Sequence, residues 1–506
     1  MALTKGTSVE EQNDSSANEI LSMMSDKDAA KKKNKKFGNV TIARVDGEQI
    51  ILPEGMSYPD ARKWLETIEK SEETIVNFHS EMKAYPWDGA YALFRAMQKK
   101  FGYADMIAAK DASGSTPPTM VSLKLPDGTM VNVPWGRLQF PGLDDKSFLE
   151  TKYDNGQMKF VVTGQIKRKF QKAVDELMLL TERILKEESI YKGNAIRVDL
   201  SFLTDSSLTM AQPEFLNNSV SSIKDEDILM NEVTRLNYSA VLLRIQKTKQ
   251  CVKNGVQIKH GALLAGPYGT GKTLLAKYTA KIGIENGWTF IYLEDARQLK
   301  HALRLAEMYA PCVVFTEDID KAVEGTRSVD MNAILNTLDG IDTKSNPIIT
   351  VLTTNHIENI NKAFLRAGRI DSLITMTALD NVTGHQFLER FARDKAGNSL
   401  LNPEADYAEA GAALTGIVPA FASEVINKAK MYALYNNREL LEPSDIMTAS
   451  ESFKEHIRLT TENIQPTPEQ VVARAVHTVS TYGSQPSIVL EELVKDIKAV
   501  KKNLGI

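Results

Sequence analysis

Residues 266–273 read Gly-Pro-Tyr-Gly-Thr-Gly-Lys-Thr, and no other stretch of the chain restricts its fold as tightly. This is a complete G-x-x-x-x-G-K-[ST] loop, a motif that works between a buried strand and the N-terminus of a helix. Gly266, Gly269 and Gly271 permit a tight turn whose successive N–H groups point at phosphate oxygens. Lys272 supplies a cation for the β- and γ-phosphates, and the Thr273 hydroxyl is placed for Mg2+. Pro267, Tyr268 and Thr270 fill the variable positions, and Leu274 continues into the helix. The flanks agree: residues 261–265, Gly-Ala-Leu-Leu-Ala, suit a buried parallel strand, and residues 273–281 contain no helix breaker.

A second site lies at residues 311–320, Pro-Cys-Val-Val-Phe-Thr-Glu-Asp-Ile-Asp. An apolar strand ending in carboxylates suits nucleotide hydrolysis, where one carboxylate holds Mg2+ through water and another polarises the attacking water. Residues 346–355 form a further apolar run that ends on the amide of Asn355, and residues 364–371 carry Arg366 and Arg369. Singly, Asn355 reads as a turn residue and Arg366 as a surface cation. In this order and spacing they read as parts of one site at the carboxyl ends of parallel strands.

These four motifs, in this order, resemble the AAA ATPases of the AAA+ superfamily over residues 223–459. The resemblance identifies 266–273 as Walker A, 313–318 as Walker B, Asn355 as sensor 1, and Arg366 and Arg369 as paired arginine fingers. It implies an α/β fold: a P-loop NTPase αβα parallel sheet with a C-terminal helical lid, here preceded by a smaller α+β domain. It also implies an ATPase using ATP and Mg2+, with Thr273 and Glu317 on the metal side. The assembly implied is a homo-oligomeric, usually hexameric, ring whose arginines reach the neighbour's ATP. The common Walker B ending is Asp-Glu, whereas this chain has Glu317-Asp318. We assign Glu317 to the magnesium-water shell and Asp318 to water activation; the shorter Asp must be carried closer by its backbone or act through another water.

The segment between the strand at 289–293 and Walker B has room for one helix, 298–309, and not for an aromatic pore loop as well. This short segment, with Glu-Asp-Ile-Asp, Thr-Thr-Asn-His and Arg-Ile-Asp, is most similar to the mitochondrial Rieske-protein AAA translocase and its relatives. Those proteins carry a membrane helix. Here no run of about 18 apolar residues occurs, so membrane insertion is not expected.

The remaining domains are expected as follows: a disordered tail over 1–39, an α+β domain over 40–165, an amphipathic helix and connector over 166–222, the ATPase core over 223–379, a helical lid over 380–459 and a helical extension over 460–506. The tail contains Lys31 to Lys36, read as a solvated run. Asp46-Gly47, Asp127-Gly128 and Asn155-Gly156 sit between apolar segments as hairpin signals. Residues 58–78 and 166–189 show helical spacing, and Ser444 is placed to cap a lid helix. The aromatics Tyr85, Trp87, Tyr91, Phe94, Phe101, Tyr103 and Trp135 read as core before recognition surface.

A net charge of −4 over 506 residues gives no electrostatic argument for a nucleic-acid partner. Two cysteines, Cys251 and Cys312, suggest neither a disulfide framework nor a zinc site, and a cytoplasmic location is the default. Three readings follow. The first is an ATP-driven remodeller of an unidentified protein client, without aromatic pore-loop threading. The second is an ATPase acting on nucleic acid, a loader or helicase-associated factor. The third is a nucleotide-gated scaffold with slow turnover.

Overall fold

A computed structural model describes residues 41–45, 48–52, 58–102, 119–138, 143–144, 146–154, 157–203, 210–320, 347–360, 366 and 368–462. The tail with its lysine run, Tyr103 and nearly all of the helical extension expected over 460–506 lie outside these residues. The chain divides into two compact units, residues 1–76 with 166–171, and residues 77–165 with 172–506.

In the first unit β1 (Thr41–Val45) pairs antiparallel with β2 (Glu48–Leu52), their register leaving Asp46-Gly47 between Val45 and Glu48. Helix α1 (Tyr58–Glu72) follows. The helical spacing read over 58–78 ends there, because Ile75 and Phe78 belong to β3 (Ile75–Lys83). The run Thr-Ile-Val-Asn-Phe is β-branched and aromatic, and its burial alternates with period two, so strand propensity wins over the spacing.

The second unit holds α2 (Pro86–Phe101), the hairpin β4 (Thr119–Lys124) and β5 (Met130–Trp135), then β6 (Arg137–Leu138), β7 (Phe148–Asp154) and β8 (Lys159–Lys167). Gly128, at φ +86°, makes the β4–β5 turn that Asp127-Gly128 predicts. Helix α3 (Gln171–Glu187) starts later than the expected 166, since Ile166 still lies on β8. Its Val174, Leu177, Met178, Thr181 and Ile184 are buried, as the amphipathic pattern requires.

The larger sheet is built from β9 (Ala195–Val198), β10 (Glu214–Phe215), β11 (His260–Ala265), β12 (Thr289–Leu293), β13 (Cys312–Thr316), β14 (Ile348–Thr354) and β15 (Ser372–Thr375), in the order β10-β9-β12-β13-β14-β11-β15. All neighbours are parallel except β10 with β9. β11, β13 and β14 are buried at every residue, which explains their unbroken apolar sequences. β9 and β10 precede residue 223 yet belong to this sheet. Around it lie α4 (Asn217–Ser221), α5 (Glu232–Gln246), α6 (Thr248–Lys253), α7 (Lys272–Glu285) and α8 (Leu299–Met308).

Four lid helices complete the described chain: α9 (Asn381–Phe391), α10 (Ala408–Ala413), α11 (Pro419–Tyr435) and α12 (Pro443–Glu462). They enclose their own core of Phe387, Leu388, Leu414, Val425, Ile426 and Ile446, among others. The start of α12 is fixed by Asp445, whose carboxylate accepts from the Glu442 N–H at 2.9 Å and pairs with Arg438, in place of the cap expected from Ser444.

Candidate active site

The ends of β11, β13 and β14 stand side by side because the register aligns them: Ala265 lies opposite Thr354, and Thr316 opposite Leu352. The loop 266–271, Glu317-Asp318 and Asn355 each follow directly from one of these ends, so three segments up to 89 residues apart (266 to 355) meet at one edge. Within the loop Gly269 and Gly271 sit at φ +80° and +92°, a conformation that a β-carbon disfavours. Gly271 caps α7 without a side-chain partner for the helix's first N–H groups, leaving donors and the positive end of the helix dipole for an anion. Tyr268 and Leu274 are exposed, and Thr270 is buried with its hydroxyl on the Pro267 carbonyl.

Lys272 is buried, and its ammonium donates to the Gly266 carbonyl at 2.7 Å, the Pro267 carbonyl at 2.9 Å and Asn355 Oδ1 at 2.7 Å. Burial lowers its pKa, opposed by the charges of Asp318, Glu317 and Asp320. Asn355 Nδ2 in turn donates to Asp318 Oδ1 at 2.8 Å, so the amide bridges lysine and carboxylate. Thr273 Oγ1 donates to Glu317 Oε1. The loop donors, the cation and the Thr273–Glu317 pair therefore fit a nucleotide triphosphate with Mg2+, an ion held through few protein ligands.

Asp318 has φ +49°, and its N–H donates to Thr353 Oγ1 at 3.2 Å. Aspartate tolerates this left-handed backbone better than most residues. With this backbone the Asp318 carboxylate meets the Asn355 amide.

Arg366 is exposed and Arg369 half-buried, both on the turn preceding β15. The backbone of Arg369 touches the opposite end of β11: a β-carbon on Gly261 would stand 1.8 Å from the Arg369 carbonyl oxygen. Asp371 fastens this turn, accepting from Gly261 N at 3.0 Å and Gly368 N at 2.9 Å. Four strand residues lie between Gly261 and Gly266, a span of about 16 Å. The arginines are not brought to the chain's own phosphate loop.

Several site neighbours went unread in the sequence. An apolar slot beside Thr270, Gly271 and the expected Leu274 is lined further by Ile228, Leu229, Met376, Phe387 and Phe391, uniting core and lid. Arg390 of α9 binds Asp227 at 2.6 Å and Glu226 at 2.9 Å next to it. The lid also touches the loop directly, Ala420 N donating to Gly269 O at 3.0 Å. Tyr292 on β12 donates to Glu317 Oε2 at 2.9 Å; burial and the Glu317 charge push the phenol above its usual range, keeping it a donor. No local motif marks these residues, because each meets the site through strand order or the lid.

Residues 262–378 match the family model described as "ATPase family associated with various cellular activities (AAA)". Similar curated proteins include the ATP-dependent zinc metalloprotease FtsH of Clostridium perfringens, 30% identical over 224 residues, which are 41% of this chain and 30% of that protein. FtsH of Acholeplasma laidlawii is 27% identical over 248 residues, 45% of this chain and 38% of that protein. FtsH of Sulfurovum sp. is 26% identical over 279 residues, 51% and 41% respectively. The chain thus spans less than half the length of these relatives. It contains an AAA ATPase domain of the AAA+ superfamily, with the P-loop NTPase fold and a C-terminal helical region. ATP with Mg2+ is the cofactor and substrate of such a domain, and ATP hydrolysis its reaction. None of the 7 histidines is followed by glutamate, so the His-Glu-x-x-His pattern of zinc proteases does not occur in the sequence. Among the described residues no helix is long and apolar enough to cross a membrane.

Proposed function

We propose that this chain hydrolyses ATP to remodel, assemble or disassemble a protein client, as a ring in which Arg366 and Arg369 act on the neighbouring copy's nucleotide. The observation that carries this reading is the two-ended layout of β11: Lys272, Glu317, Asp318 and Asn355 share one hydrogen-bonded edge, while the arginines occupy the other end. An arginine so placed can complete a site only on another copy, as a head-to-tail ring provides.

Bound ATP and Mg2+ supply the scissile anhydride and the charge neutralisation. The chain's own residues do the rest. The 266–271 backbone and Lys272 bind and orient the phosphates. Thr273 and Glu317 face the metal side, and Asp318, aimed by its backbone and by Asn355, holds the attacking water and takes its proton. The slot of Ile228, Leu229 and Phe387 accepts the base, and the Arg390 ion pairs let the lid respond to it.

Remodelling without aromatic pore-loop threading, as in the Rieske-protein translocase group, is favoured by the segment after β12. It is occupied by α8 and ends on the buried ring of Tyr309, and Tyr292, just before it, turns onto Glu317. Cys251 and Cys312 are both free thiols, which fits a reducing compartment such as the cytoplasm.

The test is a trap. Asp318→Asn should retain ATP binding and lose about 10²- to 10⁴-fold in hydrolysis. Held with ATP in extract from its native source, it should retain a protein that nuclease treatment does not release. Full turnover in Asp318→Asn with loss in Glu317→Gln would reverse the two roles, and recovery abolished by nuclease would replace the protein client with nucleic acid.

A further inference from the structure

We propose that Tyr292 is a positioning residue for Glu317, tethering one carboxylate oxygen so that the other is presented with Thr273 to the metal side. This rests on the reading of Glu317 given above. A glutamate reaches about 1.5 Å further than an aspartate and has one more rotor, so at this position it must be held back to act at a fixed point. The structure supplies the restraint. Tyr292 lies directly opposite Phe315 in the β12–β13 ladder, and Glu317 follows two residues on, just past the end of β13. The tyrosine ring packs on Phe315 with centroids 5.3 Å apart, and its hydroxyl donates to Glu317 Oε2 at 2.9 Å. On the other side Arg197, its register partner on β9, places its guanidinium 5.2 Å from the ring centroid. Arg197 itself pairs with Glu214 at 3.2 Å, and Glu294 lies 3.9 Å from its Nε. The phenol is therefore fixed from both neighbouring strands, and Glu317 is spanned between two hydroxyls, Tyr292 on Oε2 and Thr273 on Oε1. Through Arg197, a strand that precedes the ATPase motifs in sequence is coupled to their metal side.

The experiment is fluorescent ATP-analogue binding by the full chain, in EDTA and across a Mg2+ titration. Tyr292→Phe should leave metal-free affinity unchanged and raise the Mg2+ midpoint about tenfold, the scale of one hydrogen bond to a charged group. In a Glu317→Asp background, whose shorter arm cannot reach Tyr292, the same substitution should shift the midpoint less than about twofold. Equal shifts in both backgrounds, no shift in either, or parallel losses of metal-free affinity and melting temperature would overturn the proposal, the last by making the tyrosine merely structural. If the unsubstituted chain showed no Mg2+-dependent nucleotide binding, the site reading itself would fall. A normal response there with an unaltered Tyr292→Phe titration would sink the tether alone.

Discussion

The nucleotide edge of the sheet and the junction at the start of α2 both bury charge, in opposite ways. At the edge, Lys272 is buried while Glu317, Asp318 and Asn355 are half-buried; Lys272, Asn355 and Asp318 form one hydrogen-bonded chain, and Glu317 is held separately by Thr273 and Tyr292. At the junction Asp88 is 1% exposed and closed in by Ser189 Oγ at 2.7 Å, Ile190 N at 3.0 Å and the Tyr309 hydroxyl. Aromatic rings surround it: Tyr85, Tyr191 and Tyr309 meet edge-on, and Tyr85 and Trp87 both donate to the Ala211 carbonyl, at 2.8 and 3.2 Å. A charge left reachable can exchange partners when a ligand arrives, whereas a sealed charge can only specify which surfaces meet. The edge is built for exchange and the junction for registration, joining α2 to the end of α8 and so to the strand that carries Glu317.

Four substitutions sharpen or break this contrast. Arg369→Ala should have the largest effect, lowering ATP turnover by about 10³-fold or more. Its melting temperature should hardly move, and mixing it with Lys272→Ala copies should restore part of the turnover. A turnover loss that mixing cannot rescue would remove the argument for action on a neighbour. Trp87→Ala should do the reverse, costing about 3–5 kcal/mol in denaturant unfolding while nucleotide affinity of the folded fraction stays unchanged. If affinity collapsed with stability, junction and edge would not be separable.

Asp88→Asn probes the sealed charge by pH. Burial lifts the Asp88 carboxyl to about 6 despite its three donors. Between about pH 4 and 6 the folded chain keeps a proton that the unfolded chain has released, so this group's contribution to stability falls as pH rises through that window. The substitution should remove this dependence, about 2 kcal/mol between pH 4 and 7. Burial takes His260 down to about 4, which acts with the opposite sign, but it is present in both chains and cancels in the difference. An unchanged pH profile would mean that Asp88 does not titrate. Tyr85→Phe is the mildest, removing only the hydrogen bond to Ala211 and costing about 0.5–1.5 kcal/mol, with turnover preserved.

What could be read from sequence was local. The phosphate loop, the apolar β11, β13 and β14, and the polar residues at their ends announce themselves because parallel strands buried on both faces need unbroken apolar runs, and tight phosphate turns need glycine at fixed offsets. The lid was legible as a helical region, although α12 is fixed at its start by Asp445 and not Ser444. The same spacing misled at Ile75 and Phe78, which fit a helix and a strand equally until a sheet partner exists. Tertiary structure alone decided the strand order that sets Tyr292 beside Glu317 and Arg197, and the turn that reverses the backbone at Asp318. It also decided the meeting of Asp88 with Tyr309 and of Arg390 with Asp227, and the place of β9 in the ATPase sheet. Sequence spacing fixes which residues share a strand or a helix face. Which strands become neighbours depends on the free energy of burying whole surfaces together, and no short motif records that.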